Sequence, residues 1–298
     1  MPLTELKNRI KSVTLLEQEP MSRHTTFKIG GPCALMALPA SVKACKACLL
    51  AASELGIRPV ILGRGSNLLV ADEGLHRFVI KLAKGMDDLR IDGSTINAGA
   101  AVSLRLLAQA AAEAGLSGLE FAHGIPGTLG GALVMNAGAY GGEMKNVVQR
   151  VQALMIDGKE ISFTAEDCQF AYRHSIFADG NYLIVGATLH LEVGEKAQIE
   201  ARMTELAEKR KTSQPLDYPS AGSTFKRPKD GFAAALIEQC GLKGARIGGA
   251  EVSQKHSGFV VNTGEATCAD VLALMRLVQE TVLRETGVAL EPEVKILK

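Results

Sequence analysis

Apolar positions recur along this chain at two periods, and the switches between them predict its elements. Val42, Cys45, Cys48, Leu49, Ala52 and Leu55 follow helical spacing, with Ser41 placed to cap the start and Gly56 to close the end, so a helix is expected over 42–55. An Ala-rich helix begins after Ser103 and runs to Gly115, and an amphipathic helix covers 195–211 and stops near Gln214-Pro215. Shorter helical patterns occupy 4–10 and 230–240, and a longer one 267–286. Short apolar runs at 59–62, 68–71, 78–82 and 258–261 read as strands. Two hairpins are expected, 89–92 with 95–99 around Gly93-Ser94, and 147–156 with 159–163 around the Asp157-Gly158 turn. Residues 182–193 alternate as a strand, and residues 21–31 read as a loop or strand edge. In the tail, Leu290, Val294 and Ile296 share one face, and Glu291, Glu293 and Lys295 the other. No repeat or flexible linker interrupts this order, so domain boundaries are soft.

Two glycine-dense segments break the pattern where chemistry is expected. In the stretch from His123 to Gly138, glycine stands at 124, 127, 130, 131 and 138, and Pro126-Gly127 reads as a tight turn. Thr128 can cap a helix beginning near Leu129, and a Gly-rich turn feeding a helix N-terminus presents N–H groups to an anion such as phosphate. A glycine-dense turn between packed elements explains the same residues. The second segment, Gly63-Arg64-Gly65-Ser66-Asn67, joins two short strands. It is no Rossmann fingerprint, because Leu68 stands where the third glycine belongs and a strand follows. A nest of N–H groups there, with Ser66 and Asn67 as further donors, suits a pyrophosphate. The alternative is a β-turn in which Asn67 satisfies its own backbone.

Composition narrows the classes. Hydrophobic residues make up 47% of 298 positions, enough for a large core and about two domains. The 33 Lys and Arg against 32 Asp and Glu give no electrostatic case for nucleic acid or a membrane surface, and the absence of Trp argues against base stacking. The first residues carry no apolar signal core and no run approaches a membrane span, so a cytoplasmic protein is expected. Six cysteines make no disulfide scaffold. Cys45 and Cys48 form a C-x-x-C inside a helical pattern with no second pair to complete a metal site, so they and Cys33, Cys168, Cys240 and Cys268 read as buried thiols.

Three residues stand out as chemistry. Arg173 interrupts the aromatic stretch of residues 170–177, where a desolvated guanidinium usually holds a carboxylate or phosphate. Ser223 follows Gly222 in a loop without a G-x-S-x-G elbow, and Glu293 follows Pro292 near the C-terminus. An ion-paired arginine, a turn serine and a surface carboxylate are the plain readings of each taken alone.

Taken together, Gly63-Arg64-Gly65-Ser66-Asn67-Leu68-Leu69-Val70 and the run from Gly124 to Gly131 resemble the FAD-binding domain of vanillyl-alcohol-oxidase/PCMH-type flavoproteins. With Tyr172-Arg173-His174-Ser175, Gly222-Ser223-Thr224-Phe225-Lys226 and Leu290-Glu291-Pro292-Glu293-Val294, the whole chain is similar to the UDP-N-acetylenolpyruvoylglucosamine reductase family. The resemblance implies an α+β fold, a two-part FAD-binding domain plus a small α/β substrate-capping domain. The expected division is 1–80 with 287–298, then 81–212, then 213–286. Only about fifty residues separate Arg173 from Ser223, which resembles the shorter subtype of the family.

By the same resemblance FAD is the cofactor and NADPH the reductant. Hydride passes from the flavin to the vinyl carbon of an enolpyruvyl nucleotide sugar. Arg173 and Glu293 would steady the resulting carboxylate-conjugated carbanion, and Ser223 would protonate it. Cofactor contacts would come from Gly63, Arg64, Gly65, Ser66, Asn67, His123, Gly124, Ile125, Pro126, Gly127, Thr128, Gly130, Gly131, Asn136 and Gly138. Tyr172, Arg210, Lys226, Arg227, Gln239 and His256 would contact substrate. A small-molecule substrate, a monomer, and neither nucleic acid nor membrane as partner complete the expectation. One rival is another flavoprotein of this fold oxidising an alcohol or hydroxy acid, for which His123 keeps a covalent tether open. A non-catalytic nucleotide-binding module is the other, and it leaves Arg173, Ser223 and Glu293 without a purpose.

Overall fold

The computed structural model describes every residue except Met1, Ala83 and Asp230. The chain divides into two compact units, one built from Met1–Glu17, Leu35–Arg64 and Arg77–Lys209, the other from Gln18–Ala34, Gly65–His76 and Arg210–Lys298.

At the centre of the first unit is a five-stranded antiparallel sheet, in the order Glu160–Thr164, Val148–Met155, Tyr182–His190, Thr95–Gly99, Leu89–Asp92. Both expected hairpins form. Arg150 pairs with Thr164 through to Leu154 with Glu160, and Gly158 turns between them at φ +81°. Helix Leu104–Glu113 lays Leu104, Leu107, Ala108 and Ala111 into this core, and the Ser103 hydroxyl accepts the Leu106 N–H to start it. Each fully buried leucine of such a stripe contributes about 2 kcal/mol of transfer free energy. Helix Val42–Glu54 is capped by Ser41 and buries Cys45 and Cys48 completely. Burial pushes their thiols up to about 12 and about 11, so they are core members with no redox or metal-binding character.

Thr14–Pro20 and Pro32–Leu38, which have no clear β pattern in the sequence, are strands of a second sheet, ordered Thr14–Pro20, Pro32–Leu38, Leu75–Lys81, Val60–Leu62. Val60–Leu62 pairs parallel to residues 79–81, Val60 opposite Val79.

The second unit has a three-stranded antiparallel sheet, Arg246–Ile247, Ala250–Val252 and Val260–Asn262, with helix Cys268–Thr286 over it. That helix starts on a Thr267–Asp270 capping box and ends on Gly287 at φ +73°. Its first N–H groups, of Cys268 and Ala269, also donate to the Asp72 carboxylate at 2.7 and 3.0 Å. Strand Leu68–Val70 takes Lys295–Leu297 as a parallel partner, so the last residues of the chain lie beside the strand that leaves the Gly63–Asn67 loop.

Three expectations change. The helix placed at 230–240 begins only at Ala233. Cys240 is half-buried where a buried thiol was expected. The tail keeps Leu290 and Val294 buried, but Ile296, in the last strand Lys295–Leu297, is 38% exposed.

Candidate active site

In the first unit, the helix expected to present free N–H groups does not. Helix Leu129–Met135 forms, and the Thr128 hydroxyl accepts the Gly131 N–H. The Leu129 N–H, however, donates to the Val102 carbonyl at 2.8 Å and the Gly130 N–H to the Ala100 carbonyl at 2.9 Å. These bonds dock the helix start on the segment after strand Thr95–Gly99. Gly130 makes this a close approach, since a Cβ there would sit 3.0 Å from that of Ala100. Upstream, the Gly127 N–H closes a three-residue turn over Pro126 to the Ile125 carbonyl at 2.9 Å, and the Ile125 N–H donates to Ala122. His123 and Gly124 are half-buried at the head of this turn.

Gly63 faces the same cap. A Cβ on Gly63 would lie 2.6 Å from Thr128 Oγ1, so a side chain at residue 63 would displace the hydroxyl that caps the helix.

Asn136 ends the helix in the left-handed region, at φ +41°, and is fully buried. Its amide nitrogen donates to the Glu143 carboxylate at 2.7 Å and to the Ala171 carbonyl at 3.1 Å, and its oxygen accepts the Lys145 N–H at 2.9 Å. The side chain therefore holds the 171–174 turn in place. Arg173 lies in that turn at φ +55°, half-buried, with Nη2 donating to the Gly138 carbonyl at 3.2 Å and the guanidinium 4.9 Å from the Tyr172 ring centroid. Ser175 anchors the far side, its hydroxyl donating to Val134 at 2.8 Å. Gly138 allows the hairpin it shares with Gly142 to close, since a Cβ would fall 2.7 Å from the Gly142 carbonyl.

In the second unit, Gly65 sits at φ +68° and is buried, with its would-be Cβ 2.1 Å from the His24 carbonyl oxygen. Among the described residues the N–H groups of Gly65 and Ser66 donate to no protein acceptor. A loop with open donors, held at a buried glycine that leaves no room for a side chain, fits a pyrophosphate. The exposed Arg64, at the edge of the first unit, precedes it.

Ser223 and Glu293 are brought to one place. Residues 224–226 run antiparallel to 291–293. The Glu293 N–H donates to the Thr224 carbonyl and the Lys226 N–H to the Glu291 carbonyl, each at 2.8 Å, with Phe225 bridged to Pro292. Ser223 is exposed, and Glu293 half-buried. Asn67 joins this pair to the glycine loop. Its amide donates to the Glu293 carbonyl at 3.1 Å, and its own carbonyl accepts the Lys295 N–H. Asn67 therefore reaches across strands with its side-chain amide.

His256 supports the same segment from behind. Its Nδ1 accepts the Gly258 N–H at 3.1 Å, and the Gly258 carbonyl accepts the Thr224 N–H at 2.8 Å. Burial lowers the imidazole pKa, which favours the neutral ring that this acceptor role requires. Lys226 is ion-paired with Glu291, and Arg227 stacks 3.9 Å from the exposed Phe232 ring. Arg210 is half-buried at the end of helix Lys196–Ser213 and Tyr172 is 51% exposed. Gln239 lines a groove with Cys240, Thr281, Arg284 and Glu285. The described residues hold no group of His, Cys, Asp or Glu able to bind a metal.

Thr224 stands in the Gly222–Lys226 motif, whereas Thr26, whose hydroxyl donates to the Ser220 carbonyl at 2.7 Å, carries no signal in the sequence beyond being a polar position in a loop. Residues 33–164 match the family model described as an FAD binding domain, so the chain is a flavin-dependent oxidoreductase. Residues 214–297 match the C-terminal domain model of UDP-N-acetylenolpyruvoylglucosamine reductase. A protein of that name from Agathobacter rectalis is 47% identical over 97% of this chain and 98% of its own length, and one from Caldanaerobacter subterraneus is 46% identical over 98% and 97%. The crystal structure of UDP-N-acetylenolpyruvylglucosamine reductase from Thermus caldophilus superposes with a TM-score of 0.83 at 38% identity, covering 96% of this chain and 99% of that one. The chain belongs to the UDP-N-acetylenolpyruvoylglucosamine reductase family.

Proposed function

We propose that this protein reduces the enolpyruvyl group of UDP-N-acetylglucosamine enolpyruvate to give UDP-N-acetylmuramate, a step of peptidoglycan precursor synthesis. It is a flavin-dependent oxidoreductase that uses FAD and NADPH. FAD, when bound, would supply the hydride-transfer chemistry between NADPH and the vinyl carbon of the substrate. The Gly65 and Ser66 N–H groups would hold its pyrophosphate.

Hydride arrival at the terminal carbon leaves negative charge on the neighbouring carbon, shared with the substrate carboxylate. The Arg173 guanidinium, steadied by the Gly138 carbonyl, neutralises that carboxylate. Glu293 donates a second hydrogen bond in its protonated form. The Ser223 hydroxyl delivers the proton to carbon, and its exposed, backbone-pinned position supports that role. Tyr172, Arg210, Lys226 and Arg227 are the substrate contacts in this reading. His256 acts behind them, since its Nδ1 is already taken by the backbone.

Residues 213–286 serve as the substrate-binding part, with 1–80, 81–212 and 287–298 serving FAD. The protein works as a cytoplasmic monomer; no helix among the described residues is long and apolar enough to cross a membrane.

The observation that carries the reading is the antiparallel pairing of 224–226 with 291–293, which joins the proton donor and the carboxylate to the Asn67 end of the glycine loop. The test is anaerobic. Protein bleached with NADPH should regain its flavin absorbance on addition of the enolpyruvyl nucleotide sugar. Reoxidation by oxygen alone, with none by that sugar, would instead favour an oxidase.

A further inference from the structure

We infer that Thr26 is a positioning residue for the reaction proposed above, setting the Ser223 loop against the Gly65 loop. Two bonds from this one residue join the two loops. Its N–H donates to the Gly65 carbonyl at 3.2 Å, and its hydroxyl donates to the Ser220 carbonyl at 2.7 Å. Ser220 lies three residues before Ser223 and is also bridged to Val261, while the Asn262 N–H donates to Pro219. On the other side of Ser223, Thr224 is held by all of its polar groups. Its N–H goes to the Gly258 carbonyl, its hydroxyl accepts the Val260 N–H at 2.9 Å, and its carbonyl accepts the Glu293 N–H.

The serine loop is thus tied to the three-stranded sheet on both sides of Ser223, and Gly222, whose N–H donates to the Ser220 hydroxyl at 3.4 Å, lies between those ties. That residue lies at φ +78° with open space around its would-be Cβ. What remains to be set is where this rigid assembly stands relative to the pyrophosphate-binding donors of Gly65 and Ser66. Asn67 sets it on the Glu293 side. On the Ser223 side Thr26 does so, with the backbone of the same residue on one loop and its side chain on the other. The segment is itself braced: the Thr25 hydroxyl donates to Ile29 and the Asn262 amide to Phe27. A displacement at Thr26 is therefore passed on to the loops and not absorbed locally. A proton donor misplaced by about 1 Å loses on the order of 10²-fold in rate, so the hydroxyl bond bears on the protonation step and not on flavin reduction.

The test compares Thr26→Val, which keeps the shape and the backbone bond, Thr26→Ser, which keeps the hydroxyl, and Thr26→Ala, which lacks both methyl and hydroxyl. Stopped-flow absorbance follows each half-reaction of the FAD-loaded protein, and hydrogen exchange with mass spectrometry follows residues 220–226. Thr26→Val and Thr26→Ala should bleach with NADPH at near the parent rate. They should reoxidise with the enolpyruvyl sugar about 10- to 100-fold more slowly at unchanged half-saturation, and exchange the 220–226 amides faster. Thr26→Ser should restore both readouts. Parent-like reoxidation in Thr26→Val, equal slowing of both half-reactions, or no rescue by serine would overturn the inference. Exchange needs no turnover, so it tests the tie even if the parent fails to reoxidise with this sugar. That failure would strike the proposed function alone.

Discussion

Replacing Gly65 by alanine tests the glycine loop with an internal control at Gly56. The two glycines share nearly the same backbone, φ +68° and +64°, so each alanine meets the same left-handed penalty of about 1–2 kcal/mol. They differ in surroundings. Nothing lies within 4 Å of a Cβ on Gly56, whereas one on Gly65 would meet the His24 carbonyl oxygen at 2.1 Å and Thr25 Cα at 3.0 Å. Those neighbours are backbone, so the loop or the 24–26 segment must retreat by about 1 Å. Overpacking of this kind adds about 1–3 kcal/mol, and the Thr26 bond to Gly65 stands to be lost with it, about 1 kcal/mol more. Gly56→Ala should therefore lower the Tm by about 2–8 °C and Gly65→Ala by roughly 6–24 °C, at about 2–4 °C per kcal/mol. FAD affinity, read by flavin fluorescence titration, should be unchanged in Gly56→Ala and at least about tenfold weaker in Gly65→Ala, because the open donors move with the loop. Equal melting and equal FAD affinity in the two variants would refute the reasoning.

Ser223→Ala should leave NADPH bleaching nearly intact and slow reoxidation by the enolpyruvyl sugar by about 10²–10⁴-fold in stopped flow, the scale of losing a positioned acid; equal slowing of both phases would make Ser223 structural. Asn136→Gly should destabilise by about 3–5 kcal/mol through its three lost bonds, and Asn136→Ala by a further 1 kcal/mol for the left-handed φ, read by thermal melting. The His256 pKa is lowered in the folded state, so its contribution to stability is present above about pH 6.5 and is lost as pH falls through that value toward the folded pKa. The Tm of the parent should fall across that window more than that of His256→Asn, whose side-chain oxygen accepts the Gly258 N–H at any pH.

Much of the local structure was legible in the residues alone. Ser41, Ser103 and Thr128 cap the helices they announce, and Asp157-Gly158 turns the hairpin it predicts. Caps, turns and apolar stripes are decided within a few residues, where propensity and side-chain chemistry act directly. The motifs around Gly65, Arg173, Ser223 and Glu293 likewise pointed to the family before any fold was known. The long-range partners were not legible. Thr14–Pro20 and Pro32–Leu38 become strands because neighbours pair with them, not because their residues prefer it. The N–H groups at the start of helix Leu129–Met135 look free in sequence, and are taken by Val102 and Ala100 from about thirty residues away. Asn136 resembles a ligand donor until Glu143, Ala171 and Lys145 close around it. Thr26 gains its meaning from Gly65 and Ser220, the second of them 194 positions along the chain. A hydrogen-bond group's partner is a matter of which backbone reaches it in space, and that is settled by packing rather than by the residues on either side of it.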